Sequence, residues 1–168
     1  MKTISILLTA GLLVLAACTN NAEKPLSETE KADLAQEVET TINTMMDGMK
    51  NIDVEAAFES NFLMDENFKY VDIYGKTLKK DGFRKAAHGV FDNVEKIEFE
   101  FTTPIIRIID RKVAVVNLTY SGKYYFPGST LAWSPCGSTL VLQKIDNKWK
   151  VIHFHESLQE SEFVTTEL

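Results

Sequence analysis

The second half of the chain alternates apolar and polar residues, and this pattern constrains the fold more than any other feature. Residues 97–102 read Ile-Glu-Phe-Glu-Phe-Thr, with the period of two that is typical of a half-buried β-strand. After a turn at Asp110-Arg111, further strands are predicted at Val113–Phe126, 140–145 and 149–155. A hairpin turn at Asp146-Asn147 joins the last two. Four strands in succession predict an antiparallel meander.

The first half carries apolar residues at helical spacing instead. Ser27 with Glu30 fits a capping box, and Asp53 can cap a second, shorter helix. A short strand at 67–74, turning at Gly75-Lys76, and a third helix at 79–93 complete the order. Helices segregated from strands predict an α+β domain. The first helix is expected to run to about Lys50 and to bury the stripe Leu34, Val38, Ile42, Met45, Met46 and Met49.

Residues 1–17 have the composition of an export signal. Lys2 supplies a positive charge, residues 4–15 are almost unbroken apolar sequence, and small residues precede Cys18. The apolar run is too short for a membrane-spanning helix, which needs roughly 20 apolar residues. Residues 15–18, Leu-Ala-Ala-Cys, resemble the lipobox of bacterial lipoproteins, in which the cysteine is diacylated and becomes the mature N-terminus. We therefore expect Cys18 to carry a lipid anchor.

This signal sets the expected boundaries and location. Residues 18–26 are predicted to be the lipidated cysteine and a polar tether, 27–158 one domain, and 159–168 a loosely ordered tail. Thr19 follows the cysteine in place of an aspartate, which favours the outer membrane if the organism has one. The domain is expected in the cell envelope, outside the cytoplasm, with membrane lipid as a partner through Cys18.

Charge and cysteine content exclude other classes. The formal net charge of −6 is spread without a basic cluster, which argues against nucleic acid as a partner. The chain has two cysteines, so an acylated Cys18 leaves Cys136 without an intrachain partner and excludes a disulfide scaffold. Cys136 is then a buried apolar residue, an intermolecular bridge or a reactive thiol. Nothing nearby in sequence would lower its pKa, which favours burial.

The last strand carries a family motif. Residues 148–157, KWKVIHFHES, resemble the terminal signature of the nuclear transport factor 2-like superfamily, above all of SnoaL-like proteins and the calcium/calmodulin-dependent protein kinase association domain. The resemblance implies a cone-shaped, curved antiparallel sheet wrapped around the N-terminal helix, a cystatin-like α+β barrel. It also implies a homodimer through the convex side of the sheet. Members include isomerases, dehydratases, cyclases and modules that catalyse nothing.

The resemblance also implies a changed cavity. The kinase association domain has cavity arginines, and the corresponding positions here are Glu156, Leu140 and about Asn117. A pocket histidine of that domain corresponds roughly to Arg84. The anion-binding set is thus lost. We hypothesise that Arg84 and Glu156 face each other in the cavity, the alternative being a solvated pair at its rim.

The first predicted strand has a polar face made of Tyr70, Asp72 and Tyr74. If this face looks into the cone, Asp72 is a candidate general base and the tyrosines are hydrogen-bond donors, because a dry aromatic pocket raises the pKa of an acid. An ordinary surface strand would show the same pattern. Ligand contacts are also expected from Tyr120 and Trp133, in an aromatic group flanked by predicted turns at 127–128 and 134–135. Such aromatic residues more often complete the core.

His153 and His155 lie two apart on the last strand and are expected to share a face with Trp149 and Val151. A His-x-His pair can bind a metal, but zinc needs a third protein ligand, and His88 is the only other histidine. We therefore expect no metal and no cofactor. The two histidines are expected to contact a ligand, to line the dimer face or to stabilise the strand.

These features together predict an envelope lipoprotein whose cone binds a small, partly apolar molecule. One alternative is a cofactor-free isomerase, dehydratase or hydrolase with Asp72 or Glu156 as general base. The other is a non-catalytic interaction module. A wide, wet cavity with a buried, pKa-shifted acid would favour catalysis, an open cavity without one would favour binding, and a filled cone would favour the interaction module.

Overall fold

The long N-terminal helix forms where the capping residues predict it. In the computed structural model, which describes residues 24–158 and the backbone of 161–164, helix α1 spans Glu28–Lys50. Ser27 Oγ accepts a hydrogen bond from the Glu30 amide at 3.2 Å, and Glu30 Oε2 accepts one from the Ser27 amide at 2.8 Å. The capping box is therefore confirmed. The predicted signal, Cys18 and most of the predicted tail lie outside the described residues.

A short π-helical turn, Glu55–Glu59, follows α1 and packs against it. Asp53 Oδ1 accepts from the Ala56 amide at 3.0 Å, as the predicted cap requires. Gly48 of α1 faces this turn, and a Cβ there would overlap the backbone of Ala56 and Ala57. Glycine at position 48 is therefore what allows the two helical segments to approach so closely.

The predicted strand at 67–74 is too long. Strand β1 covers only Lys69–Val71, because the next residue begins a turn. Asp72 Oδ1 accepts from the amides of Tyr74 at 3.0 Å and Lys76 at 2.8 Å, and these bonds compete with strand pairing. Strand β2, Thr77–Leu78, then pairs with β1, and helix α2 follows at Lys80–Phe91, within the predicted third helix.

A single curved sheet carries the rest of the chain. The remaining strands are β3 Lys96–Phe101, β4 Ile105–Ile108, β5 Val113–Phe126, β6 Ser129–Ile145, β7 Lys148–Leu158 and β8 Ser161–Val164. The strands pair in the order β2-β1-β7-β6-β5-β3, with β4 also on β5 and β8 on β6. Among these described strands, all pairs are antiparallel except β1 with β7. Helix α1 packs against β3, β4 and β7, so the expected α+β cone is confirmed.

Strand β6 is longer than predicted. It begins at Ser129, and the expected turn at Ser134-Pro135 is a bulge inside it, where two residues lie opposite Ser121 of β5. A bulge tolerates proline, which has no amide hydrogen for the ladder. Strand β8 pairs with the start of β6, so the prediction of a loose tail is wrong for residues 161–164.

A second bulge lies in β7 and determines which of its residues face the helix. Leu142 pairs with Val151 and Val141 with His153, so Ile152 is the extra residue. An extra residue reverses the alternation of faces beyond it. Trp149 and Val151 are buried before the bulge, and Phe154 and Glu156 are buried after it. Within the described part of the chain, no helix is both long and apolar enough to cross a membrane.

Candidate functional site

A cavity of about 250 Å³ lies between the C-terminal part of α1, helix α2 and the concave face of the sheet. It reaches the protein surface at Tyr74, whose side chain is 71% exposed. The walls are almost entirely aromatic and aliphatic side chains. They include Trp133, beside the bulge in β6, and Phe154, which follows the bulge in β7. Lining residues from the helices include Met45, Met46, Met49, Phe83, Ala87 and Phe91.

The polar centre of the cavity is the carboxyl group of Glu156, which is buried with 8% exposure. The Tyr70 hydroxyl donates to its Oε2 and the Tyr120 hydroxyl donates to its Oε1. Tyr70 comes from β1, Tyr120 from β5 and Glu156 from β7, so three separate strands bring this group together. Within the described residues, the acid has hydrogen-bond partners but no basic one.

Burial raises the pKa of Glu156, and the nearby Asp72 carboxylate raises it further, against the opposing effect of the two tyrosine hydrogen bonds. Burial and the charge of Glu156 also raise the pKa of Tyr70 and of Tyr120. Both tyrosines therefore keep their protons at neutral pH and act as donors. The site combines an acid that holds its proton more tightly than usual with two permanent hydroxyl donors.

Ser138 adds an unpaired polar group. It lies directly across from Glu156 on the neighbouring strand β6 and lines the same cavity. Its Oγ is buried and makes no hydrogen bond within the described part of the chain. A buried hydroxyl without a partner is costly, so this atom is a place where a ligand would complete the site.

Six of the predicted site residues line this cavity: Tyr70, Asp72, Tyr74, Tyr120, Trp133 and Glu156. Trp133 packs on Tyr124 with ring centroids 4.8 Å apart. Asp72 and Tyr74 lie at the mouth, and the Asp72 carboxylate holds the turn after β1 through its Oδ1. Both predicted acids therefore line the cavity, and Glu156 is the more deeply buried of the two.

The expected pairing of Arg84 with Glu156 is wrong. Arg84 lies on the exposed side of α2 and binds Glu59 through both Nε and Nη2, at 3.0 and 2.7 Å, respectively. It is not among the residues that line the cavity. Helix α2 presents Phe83 to the core, and the next residue along the helix points elsewhere. Arg84 is therefore part of a surface ion pair.

The expected common face of His153, His155, Trp149 and Val151 is also wrong, because the bulge at Ile152 separates the two pairs. His153 and His155 lie on the outer face of the sheet, and His155 is exposed in a shallow groove there. His88 lies on α2, 3.7 Å from carboxylate oxygens of Glu59 and Asp92. The described residues contain no group of three or more His, Cys, Asp or Glu that could hold a metal.

Cys136 is fully buried at the inner face of β6. Burial raises the pKa of its thiol to about 11, and the charge of Glu156 contributes to this increase. A thiol in this state is neutral and shielded at neutral pH. The structure therefore agrees with the buried alternative and argues against a reactive thiol or an intermolecular bridge.

The sequence prediction missed several residues of the cavity. Ser138, Phe154 and the lining residues of α2 were not expected there. One signal was available: Val151 and Ile152 are adjacent apolar residues in a strand that otherwise alternates, as expected at a bulge. For Ser138 no comparable signal exists, since small polar residues also occur on outward faces.

The fold and cavity define a cone domain of the nuclear transport factor 2-like superfamily. A model of the SnoaL-like domain family matches residues 38–160, and the chain belongs to this family. A search of curated proteins finds no match.

Many solved structures share the fold. A candidate scytalone dehydratase from Novosphingobium aromaticivorans superposes with a TM-score of 0.68 at 10% identity, covering 81% of this chain and 93% of that one. A type 2 hexachlorocyclohexane dehydrochlorinase gives 0.67 at 9% identity, covering 84% and 97%. A candidate dehydratase from Streptomyces avermitilis gives 0.65 at 17%, covering 77% and 97%. At these identities the similarity shows the fold alone.

Proposed function

We propose that this protein binds a small, mostly apolar molecule in its cavity, at the end of a lipid anchor. The observation that carries the binding proposal is an apolar cavity of about 250 Å³ with one buried acid at its centre. Such a cavity, with few convergent polar groups, is the usual form of a small-molecule site. An apolar cavity of about 150 Å³ can hold benzene, so in proportion this one has room for a molecule of two fused rings or of one ring with a short substituent.

A fluorescence titration tests this proposal. The neutral probe 1-naphthylamine, which has two fused rings, is expected to bind the protein without its signal segment and to brighten on binding. Ala87→Leu should weaken this binding about tenfold or more, because Ala87 lines the cavity and the larger side chain fills it. Gly89→Leu on the same helix is the matched control, since a Cβ there meets nothing within 4 Å. Equal binding by both variants would contradict the proposal.

Acid–base catalysis by Glu156 is a second candidate function, favoured by its raised pKa. Two of the structural neighbours are named as dehydratases and one as a dehydrochlorinase. Both carboxyl oxygens already accept a tyrosine hydrogen bond, which favours binding over proton abstraction as the first proposal. If a bound molecule is transformed, Glu156→Gln should abolish turnover, and the variant should still bind the neutral probe. Unchanged turnover would exclude Glu156 as the base.

The proposed anchor is Cys18. The described chain begins beside the β4–β5 turn, where the Lys24 carbonyl accepts from Arg111 at 2.9 Å, and the β6–β7 turn borders the same surface groove as Arg111. The tether would therefore join the fold at the start of α1, and the cavity lies at its other end. In a bacterial host, labelling with an alkyne fatty acid should be lost in Cys18→Ser and kept in Cys136→Ser. Labelling that survives Cys18→Ser would contradict lipidation there.

A homodimer is also proposed, through the outer face of the sheet. Ile105 is 71% exposed on this face, beside a groove that includes Asn117 and His155. Burying such an apolar side chain against a second copy would stabilise a pair. Sedimentation of the domain should give a dimer, and Ile105→Lys should give a monomer. A monomeric wild type would contradict this proposal without bearing on the cavity.

A further inference from the structure

We infer that the cavity selects a molecule whose apolar body carries a positively charged amine. This inference rests on the proposed binding function and names the class of its ligand. It follows from three features of the site: the charge of its lining, the unused acceptors beside Glu156, and the aromatic rings that surround them.

The charge of the lining is one-sided. Among the described residues that form the cavity, the charged side chains are Asp72 and Glu156, and no lysine, arginine or histidine takes part. A buried carboxylate without a cation is unfavourable, because burial removes its hydration without replacing it by an opposite charge. An ammonium group would provide that charge. An anionic ligand would meet two carboxylates and no counterion.

The acceptors fit the donors of an ammonium. An ionised carboxylate offers about four lone-pair sites, and the tyrosine hydroxyls at Glu156 occupy one on each oxygen. Ser138 Oγ, across the strand pair from Glu156, is buried without a partner. A primary ammonium has three donors and no acceptor. It can therefore donate to Glu156 and to Ser138 together, and so satisfy the unpaired hydroxyl.

The rings around the acid add to this preference. Tyr70 stacks on Phe154 with centroids 5.2 Å apart, and Tyr120 stacks on Phe99 at 4.9 Å. All four side chains line the cavity. Aromatic faces attract cations within about 6 Å of the ring centroid, and more strongly where water is excluded. A neutral alcohol would gain the hydrogen bonds but neither this attraction nor the compensation of charge.

Three ligands with the same ring test the inference: cyclohexylmethylamine, cyclohexylmethanol and cyclohexanecarboxylate. Each competes with the bound naphthylamine probe on the unmodified domain at pH 7. We expect the amine to bind about tenfold or more tightly than the alcohol, and the carboxylate most weakly. Charge-assisted hydrogen bonds are roughly twice as strong as neutral ones, which sets this order.

Variants locate the preference. Glu156→Gln should weaken amine binding about tenfold or more and leave alcohol binding within about threefold. Ser138→Ala should weaken amine binding by a smaller factor. Ser157→Ala is the matched control, because this serine is exposed on the outer side of the same strand pair. Circular dichroism of each variant shows whether it is folded, and the ligand series on the unmodified protein needs no variant.

Proton release gives an independent readout. The titratable groups around Glu156 are Tyr70, Asp72, Tyr120, Tyr124 and Cys136, and the tyrosines and the thiol remain protonated at neutral pH. A bound ammonium should lower the pKa of Glu156, so amine binding at a pH above 4.5 and below the pKa of Glu156 in the free site should release protons. Calorimetry in buffers of different ionisation enthalpy measures this release. The alcohol should release none.

The outcomes separate the two proposals. If the alcohol binds as tightly as the amine, or the carboxylate binds best, the amine inference is overturned and the apolar binding site remains. If Glu156→Gln leaves the preference for the amine intact, the inference is overturned as well. If neither the probe nor any of the three ligands binds, the proposed binding function itself fails.

Discussion

Two carboxylates, one on the N-terminal half of α1 and one in the cavity beside its C-terminal part, have opposite surroundings. Glu37 accepts hydrogen bonds from Lys144 Nζ at 2.5 Å and from the Trp149 indole Nε1 at 2.9 Å, whereas Glu156 accepts them from the hydroxyls of Tyr70 and Tyr120. The hydrogen bond from Lys144 lowers the pKa of Glu37, while burial raises that of Glu156. We call the first region, with Arg111 and the β6–β7 turn, the hairpin end, and the second the cavity end.

This difference indicates that the hairpin end stabilises the fold and that the cavity end holds the candidate site. At the hairpin end Glu37 pairs with Lys144 and Glu30 with Arg111, and hydrogen bonds from Ser27 and Arg111 lower the pKa of Glu30 to about 2. At the cavity end the acid has a raised pKa beside an unpaired serine. Groups that destabilise a fold persist in a protein mainly where they serve a site. The contrast therefore points to the cavity end as the functional one.

The largest expected effect is from Trp149→Ala, because Trp149 is buried with 4% exposure in the packed hairpin end. We expect a loss of about 3–5 kcal/mol in the free energy of unfolding. Trp133→Ala at the cavity end should cost clearly less, since that ring already borders an open cavity. Urea unfolding of both variants measures this. Equal losses would show that the two ends are packed alike.

The next effect concerns Glu156→Gln and pH. The pKa of Glu156 is raised above 4.5 in the folded protein. The wild type should therefore lose stability as the pH rises from 4.5 through the pKa that Glu156 has in the folded state. The glutamine variant lacks this loss. We expect it to be more stable than the wild type at pH 8 by about 1 kcal/mol or more, with the difference shrinking towards pH 4. If the variant is less stable than the wild type at pH 8, the negative charge of Glu156 is compensated in the folded protein, and the prediction is wrong.

The smallest effect is expected for Glu37→Gln, and its sign is opposite. The pKa of Glu37 is lowered in the folded protein, so its contribution is present above 4.5 and is lost as pH falls through the folded value. The side chain is 46% exposed, so solvent screening limits the loss at pH 7 to about 0.2–1 kcal/mol. A double-mutant cycle with Lys144→Met isolates the pair. If the cycle shows no coupling energy at pH 7, the pair of Glu37 and Lys144 does not stabilise the hairpin end.

Local features of the fold were predictable from the sequence. The capping box at Ser27, the cap at Asp53 and the hairpin turn at Asp146-Asn147 depend on residues close together in the chain. The apolar stripe of α1 was correct from Val38 to Met49, since helical spacing alone determines the buried face, while Leu34 is only partly buried. The motif on the last strand gave the family, because it is a property of the sequence itself.

The site depended on features that only pairing between distant strands reveals. Alternation counted from Trp149 places His153 and His155 inside and Glu156 outside, and the bulge at Ile152 reverses this. The bulge at Ser134-Pro135 was predicted as a turn because proline is common both in turns and at bulges. Arg84 was misplaced because its partner, Glu59, is 25 residues away and its contact follows from helix packing.

The sequence by itself thus determined the helices, their caps, the strand-rich second half, the family and the expectation of an anchor at Cys18. The tertiary structure decided that Glu156, and not Asp72 or the histidines, lies at the centre of the cavity. The physical reason is that a strand alternates with a period of two, so one extra residue changes the side on which every later residue lies. Whether that residue is accommodated as a bulge depends on the register with neighbouring strands, which local sequence does not specify.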